Sequence, residues 1–193
     1  GQHHPVVVMD PAGNFVVVWN SSLQDGSSWG VFGRRFDAVG TATGSEFQVN
    51  SYTTSVQYQP TVAADAAGNF LVVWDSYVQD GSSDGIFGQR FSAAGLPHES
   101  EFPVNSVTAS AQALPEAASD ANGNLVVVWQ GYVQDGGNSG IFGQRYAAAG
   151  QAFHTVTPCR AVDTRSPAPG TPLAAGAPRT FVLTGTCGIP LAA

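Results

Sequence analysis

Three loops of this sequence carry an aspartate between a glutamine and a glycine, and aspartate oxygens are common calcium ligands in proteins. A hydroxyl or amide side chain follows in each loop, which gives the pairs Asp25 and Ser27, Asp80 and Ser82, and Asp135 and Asn138. The loops lack the alternating carboxylates of a dedicated calcium site. Because aspartate before glycine is also a standard turn residue, we favour a turn. Calcium, the one cofactor that these residues suggest, remains the alternative.

Three arginines are the candidates for ligand binding: Arg35, Arg90 and Arg145, in the runs FGRRF, FGQRF and FGQRY. A guanidinium donates paired hydrogen bonds, so each arginine could hold a carbohydrate in one pocket per copy, with tryptophan as the stacking platform. The alternative is structural. A charge on a buried strand needs a partner, and each arginine would then pair with a turn aspartate between copies, which is the interpretation that the sequence favours.

One tryptophan differs from the others. Trp19, Trp74 and Trp129 follow runs of valine and are predicted to lie in the core. Trp29 instead stands in an otherwise polar loop, so we predict that it is an exposed contact residue.

No group of residues predicts catalysis. His3 and His4 could bind a metal ion weakly, but a terminal segment is more often mobile, and the other histidines occupy unrelated positions. The sequence has no nucleophile elbow, phosphate loop or HExxH motif. We therefore predict a protein that is not an enzyme and has no catalytic residue.

The elements that position these residues repeat with a period of 55. Pro5, Pro60 and Pro115 align without insertion or deletion, as do the tryptophans and the aspartate loops. This period is too long for one rung of a solenoid and fits a four-stranded propeller blade. The predicted repeats are residues 5–59, 60–114 and 115–150, within a domain of residues 1–150.

The second copy shows why each repeat is predicted to be four antiparallel strands. Strand-forming runs at 60–65, 70–78, 86–91 and 100–105 are separated by turn signals rich in glycine and asparagine. The run FLVVW is continuously apolar at its start, which is typical of a strand covered on both faces. The fold class is therefore all-β, with tandem propeller-like blades.

The third copy departs from the pattern after Gly150. Residues 151–193 are rich in proline, glycine and alanine and are predicted to form a small separate β module. The two cysteines, Cys159 and Cys187, both lie in it. A disulfide between them is the simplest interpretation, and two buried thiols are the alternative.

Composition excludes several partners. The 193 residues carry a formal net charge of −7, and all seven basic residues are arginine. Such a chain cannot neutralise a run of phosphates, which argues against nucleic acid. No apolar run approaches the roughly 20 residues of a membrane span.

The blocks GNFVVVW, QDGSSDGIFGQRF and EFQVN resemble a repeat of long secreted and cell-surface bacterial proteins that is described as β-propeller-like. The tail, with PCRAVDTR and LAAGAPRTFVLTGTCGIP, resembles a C-terminal module of secreted bacterial proteins. The resemblance implies an extracellular or cell-surface location.

Three blades are too few to close a propeller of about 4–8 blades. We therefore expect a homo-oligomer or filament that associates through the repeat ends and the C-terminal segment. The predicted function is structural or adhesive. The alternative is a lectin-like module that binds surface glycans at equivalent sites in each repeat.

Overall fold

The computed structural model describes residues 1–133, 138–147 and 159–160, and the regular structure of this part is entirely β-strand. The first sheet contains β1 (Gln2–Met9), β2 (Phe15–Ser22), β3 (Trp29–Phe36) and β4 (Phe47–Gln48). The second contains β5 (Gln57–Ala64), β6 (Phe70–Tyr77), β7 (Asp84–Phe91) and β8 (Pro97–Pro103). The third contains β9 (Gln112–Ser119), β10 (Leu125–Tyr132), β11 (Ser139–Tyr146) and β12 (Cys159–Arg160).

Each sheet is an antiparallel meander in which the strands lie in their sequence order. This confirms the prediction of three equivalent four-stranded units. The first strands begin at Gln2, Gln57 and Gln112, three residues before the aligned prolines.

The repetition extends to a strained backbone position in the first strand of each sheet. His4, Gln59 and Leu114, each directly before an aligned proline, have φ values of 50°, 48° and 57°. A left-handed conformation is unfavourable for residues other than glycine and persists where the surroundings impose it. The first and second strands also shift register at this place, as between Tyr58 and Thr61. This backbone kink therefore recurs in the first strand of all three sheets.

The fourth strand of the third sheet comes from the C-terminal part of the chain. Phe142 and Gly143 of β11 pair with Arg160 and Cys159 of β12. Residues 159–160 thus complete the edge of the third sheet. The predicted disulfide between Cys159 and Cys187 lies outside the described side chains.

The sheets stack through their faces, with the first strands nearest one another: β1 contacts β5, and β5 contacts β9. Two apolar clusters fill the two spaces between the sheets. The middle sheet is covered on both faces, and Trp74 is fully buried there, as predicted. Radial stacking of four-stranded meanders is the arrangement of propeller blades, and each sheet is called a blade below. No helix in the described residues is long and apolar enough to cross a membrane.

Candidate functional site

Two cavities lie at equivalent places, one at each junction between neighbouring blades. The first pocket, between blades 1 and 2, has a volume of about 280 Å³. The second pocket, between blades 2 and 3, has a volume of about 190 Å³. Their shared positions are 55 residues apart: Asp10, Asn14, Phe15, Arg35 and Phe36 in the first, and Asp65, Asn69, Phe70, Arg90 and Phe91 in the second.

Arg35 reaches across the first junction. Its Nη1 donates a hydrogen bond to the carbonyl oxygen of Ala93 in blade 2, and its Nη2 donates to the carbonyl oxygen of Thr43 at 3.1 Å. The sequence favoured an ion pair with a turn aspartate, but these two partners are backbone carbonyls. They use two of the five N–H donors of a guanidinium.

A glycine makes room for this arginine. Gly95, in the turn that follows β7, has a φ of +76°, and a Cβ built there would lie 2.7 Å from Arg35 Nε. A side chain at that position would force Arg35 to move, and the left-handed backbone also disfavours any residue other than glycine there. The sequence therefore supplies the arginine from one repeat and the glycine from the next.

Arg90 occupies the same place in the second pocket. Its guanidinium carbon lies 5.7 Å from the centre of the Tyr146 ring in blade 3, a cation–π distance. Burial lowers the pKa of Arg90, while the nearby Glu99 carboxylate and Tyr146 hydroxyl oppose that effect. Arg90 thus faces a more enclosed junction than Arg35.

Two residues distinguish the second pocket. His98 and Glu99 line it, at the positions where the first repeat has Thr43 and Gly44. Glu99 has a φ of +72°. This left-handed conformation is unfavourable for a glutamate and persists only where the surrounding structure imposes it.

The apolar part of each pocket includes a stacked pair of phenylalanines. The rings of Phe15 and Phe36 lie 4.9 Å apart, and those of Phe70 and Phe91 lie 5.0 Å apart. The sequence had assigned the aromatic role to tryptophan. Two of the repeated tryptophans, Trp74 and Trp129, are instead fully buried in the cores, and the third, Trp19, is half-buried and lines neither pocket.

The aspartate that lines each pocket also closes its own turn. Asp10 Oδ1 accepts from the backbone amides of Ala12 and Asn14 at 2.8 and 3.0 Å, and Oδ2 accepts from Asn14 Nδ2 at 2.9 Å. Asp65 makes the same three bonds within its turn. The hydrogen bond from the Asn14 side chain lowers the pKa of Asp10, so this carboxylate is charged.

The aspartates first considered for calcium form turns at the other ends of the blades. Asp25 Oδ1 accepts from the amide of Ser27 at 3.0 Å, and Asp80 Oδ1 accepts from that of Ser82 at 3.1 Å. The third, Asp135, lies outside the described residues. Within the described part of the chain, no three histidine, cysteine or acidic side chains are placed to hold a metal ion.

Trp29 belongs to a separate aromatic cluster. Its ring lies 5.0 Å from that of His3 and 5.9 Å from that of Tyr58, while His4 Nε2 lies 2.8 Å from the Tyr58 hydroxyl. Trp29 is half-buried by these contacts. It lies six residues along β3 from Arg35, about 20 Å at the rise of a strand. The structure therefore does not bring these two predicted ligand-binding residues together.

Arg145 lies on the face of blade 3 that carries no further blade in the described residues. Its place in the repeat is that of Arg35 and Arg90. A pocket around it would need a neighbouring turn that only another blade supplies.

Sequence reasoning missed the phenylalanine pairs and the residues His98 and Glu99. The phenylalanines carried a usable signal, because Phe15 and Phe36 recur 55 residues later as Phe70 and Phe91. His98 and Glu99 carried no such signal, since they occur in the second repeat only.

Comparison with known proteins supports the fold. No protein-family model and no curated protein matches the chain. The chain is similar to an endo-arabinase from Bacteroides thetaiotaomicron, at 15% identity and a TM-score of 0.51, over 79% of this chain and 58% of that one. It is similar to an endo-1,4-β-xylanase from the same organism, at 10% identity and a TM-score of 0.52, over 82% and 58%.

A third similar structure is an N-acetylgalactosamine deacetylase from F. plautii in complex with blood group B trisaccharide. The identity is 13% and the TM-score 0.50, over 81% of this chain and 52% of that one. The chain thus spans between half and three fifths of these structures. The likeness is one of fold, and the fold is all-β with sheets arranged like propeller blades.

Proposed function

We propose that this chain is a lectin-like module that binds carbohydrate, without catalysis, in equivalent pockets between neighbouring blades. One observation carries the proposal: two cavities, 55 residues apart in every shared position, each combine a guanidinium, a carboxylate, an amide side chain and an apolar wall. Repetition of a pocket together with its polar residues is typical of a module with several equivalent binding sites.

The chemistry of the pockets fits a neutral sugar. A sugar ring has apolar C–H faces and hydroxyl groups that both donate and accept hydrogen bonds. Arg35 and Arg90 supply donors, Asp10 and Asp65 supply acceptors, and the apolar wall takes the ring. An anion would meet a carboxylate in each pocket, in a chain whose formal net charge is −7. The volumes lie at or below the lower end of the roughly 300–1,000 Å³ of drug-sized ligand pockets, which favours a single monosaccharide unit.

The shared residues also favour binding over catalysis. Hydrolysis of a glycosidic bond normally uses two carboxyl groups across the scissile bond. The two pockets share one carboxylate each, and this carboxylate accepts three hydrogen bonds from its own turn. Glu99 is present in the second pocket only. An activity common to both pockets is therefore recognition.

An extracellular or cell-surface location belongs to the same proposal, because it is where glycans are displayed. Several weak sites on one chain gain avidity when they engage neighbouring sugars on a surface. The adhesive role predicted from the sequence would then follow from binding. The three similar structures are named for carbohydrate substrates, and that class of ligand is the one we propose here.

A glycan array, followed by titration calorimetry with the monosaccharides of its best ligands, tests the proposal. The panel would include arabinose, xylose, galactose, fucose and N-acetylgalactosamine. We expect saturable binding that Arg35→Ala and Arg90→Ala each reduce by one site per chain. Arg34→Ala, an exposed neighbour outside the pockets, is the matched control and should bind as the unaltered protein does. Absence of binding to any glycan would overturn the proposal.

The array is repeated after calcium is removed with a chelator. We expect unchanged binding, because the pockets lie at the opposite ends of the strands from Asp25 and Asp80. Binding that requires calcium would instead revive those loops as metal sites.

A further inference from the structure

We infer that the open face of blade 3 packs against the open face of blade 1 in a second copy of this chain, and that this contact forms a third pocket around Arg145. The contact stands independently of what the pockets bind. The ligand of the third pocket rests on the proposed function.

The open face of blade 3 is apolar and repeats a face that is buried elsewhere in the molecule. Val126 and Ile141 are 45% and 48% exposed. Their equivalents in blade 2, Leu71 and Ile86, are 1% and 0% exposed because blade 3 covers them. The same side of blade 1 is buried by blade 2. This side of a blade is therefore built to receive another blade.

The complementary face is open on blade 1. Val7 is 63% exposed, whereas its equivalent Val62 is 8% exposed and belongs to the cluster between blades 1 and 2. Trp19 is half-buried, while Trp74 and Trp129, its equivalents, are fully buried. The open face of blade 1 is therefore equivalent to the face of blade 2 that packs against blade 1 and to the face of blade 3 that packs against blade 2. One molecule carries both halves of a junction that it already forms twice.

The residues at the rim of the open face of blade 1 also indicate that a second copy of the chain packs there. A Cβ at Gly95 would meet Arg35, but a Cβ at Gly40, the equivalent position in blade 1, would have nothing within 4 Å. Gly40 nevertheless keeps the same left-handed backbone, with a φ of +85°. The space beside it is the one that an arginine of a preceding blade fills at the internal junction. Arg145 is the arginine that stands at the end of the array without such a turn.

The third pocket would repeat the first. Arg145 of one copy would donate to the carbonyl oxygen of the second copy's Ala38, the equivalent of Ala93. Asp120 and Asn124 would take the places of Asp10 and Asn14. Two copies joined at both ends have six blades, within the range of about 4–8 that closes a propeller. Because the contact joins different faces, closure is what keeps it from propagating into a fibre.

Native mass measurement over a wide range of concentration tests the contact without any ligand. We expect a mass of two chains. Ile141→Lys and Val7→Glu should each give single chains, and the double variant should restore the pair, because these positions correspond to Val31 and Val62, which share one cluster. Leu96→Lys, an exposed apolar position on blade 2, is the control and should remain paired.

Calorimetry with the best monosaccharide of the panel then tests the pocket. The paired protein should bind three sugars per chain, and Ile141→Lys and Arg145→Ala should each bind two, the latter while still paired. Pairing with no sugar bound at all would leave the contact standing and refute the proposed function. Pairing with two sites per chain would refute the third pocket.

A protein that stays monomeric at high concentration would overturn the contact. Thiol labelling of Ile141→Cys in that monomer, measured against labelling of the unaltered protein with its Cys159 and Cys187, would identify the occupant. Blocked labelling of position 141 would point to residues 161–193 of the same chain, and rapid labelling to an uncovered face.

Discussion

The junction between blades 1 and 2 and the junction between blades 2 and 3 share one backbone frame and differ in the residues that fill it. Both place an arginine, a turn aspartate and a phenylalanine pair around a cavity. The second adds His98 and Glu99 and is smaller, at about 190 Å³ against about 280 Å³. The frame comes from the repeat, whereas selectivity for one sugar over another would come from positions that the repeat leaves variable.

The two junctions also differ at their other ends, where equivalent positions carry an amide in blade 1 and a carboxyl group in blade 2. Asn20 is fully buried in blade 1, where its Nδ2 donates to the carbonyl oxygen of Gln57 at 2.9 Å and its Oδ1 accepts from the amide of Gln59 at 3.1 Å. These bonds hold the kinked first strand of blade 2. Blade 2 has Asp75 at the equivalent position, and its Oδ1 is buried without a hydrogen-bond partner. Burial, together with the nearby charge of Asp84, raises the pKa of Asp75 to about 8.

The largest effect is expected when the feature common to all junctions is removed. The triple variant Arg35→Ala, Arg90→Ala and Arg145→Ala should weaken sugar binding strongly in every pocket. Hydrogen bonds from a charged group contribute about 1.5–3 kcal/mol, which corresponds to roughly 10- to 100-fold per site. Calorimetry measures the loss, and circular dichroism checks that the blades remain folded. Full binding by a folded triple variant would show that the shared arginines do not recognise the ligand.

The second largest effect is on stability: the free energy of unfolding should depend on pH because of Asp75, whereas the equivalent Asn20 does not titrate. A carboxyl whose pKa is raised in the folded state stabilises the protein below its unfolded pKa, and this contribution is lost as the pH rises to the folded value. The free energy of unfolding should therefore fall between about pH 4 and pH 8, by at most about 1.4 kcal/mol per pH unit. Denaturant unfolding at several pH values measures this slope.

The variant Asp75→Asn should remove that slope and be more stable at neutral pH, since an amide can donate to the carbonyl oxygen of Gln112 as Asn20 does to that of Gln57. The reverse variant, Asn20→Asp, should introduce a slope at the first junction. If Asp75→Asn left the pH dependence as it was, the charge of Asp75 would not be what distinguishes the two junctions.

A smaller effect is expected when the second pocket is converted to the first. His98→Thr with Glu99→Gly gives blade 2 the residues of the first repeat, and the glycine also relieves the left-handed backbone at position 99. We expect the two affinities to converge, with a change of roughly 2- to 10-fold, the size of one neutral hydrogen bond. Calorimetry on an Arg35→Ala, Arg145→Ala background isolates the second pocket. If the sugar affinities of the two pockets remained different, a residue other than His98 or Glu99 would cause the difference.

The smallest effect is expected at Trp29. Trp29→Ala should leave sugar binding unchanged, because this side chain packs on His3 and Tyr58 at the far end of β3. A large loss of affinity would mean that the aromatic cluster, and not the pair of junction pockets, holds the ligand.

The sequence predicted the blades well because an exact period combines with the alternation of strands and glycine turns. It also predicted buried tryptophans such as Trp74. It could not show that Arg35 bonds to Ala93, because that contact depends on how one blade is rotated against the next. The strain at Glu99 was equally hidden, since backbone conformation at one position depends on the strand pairing around it. Trp29 looked exposed because its partners, His3 and Tyr58, lie in other strands.

A crystal structure of the protein soaked with the monosaccharide that it binds best tests the central claim most directly. The account predicts the sugar in both the first and the second pocket, with its ring against the apolar wall and its hydroxyl groups within hydrogen-bond distance of Arg35 or Arg90. Sugar bound elsewhere, with both pockets containing only water, would contradict it.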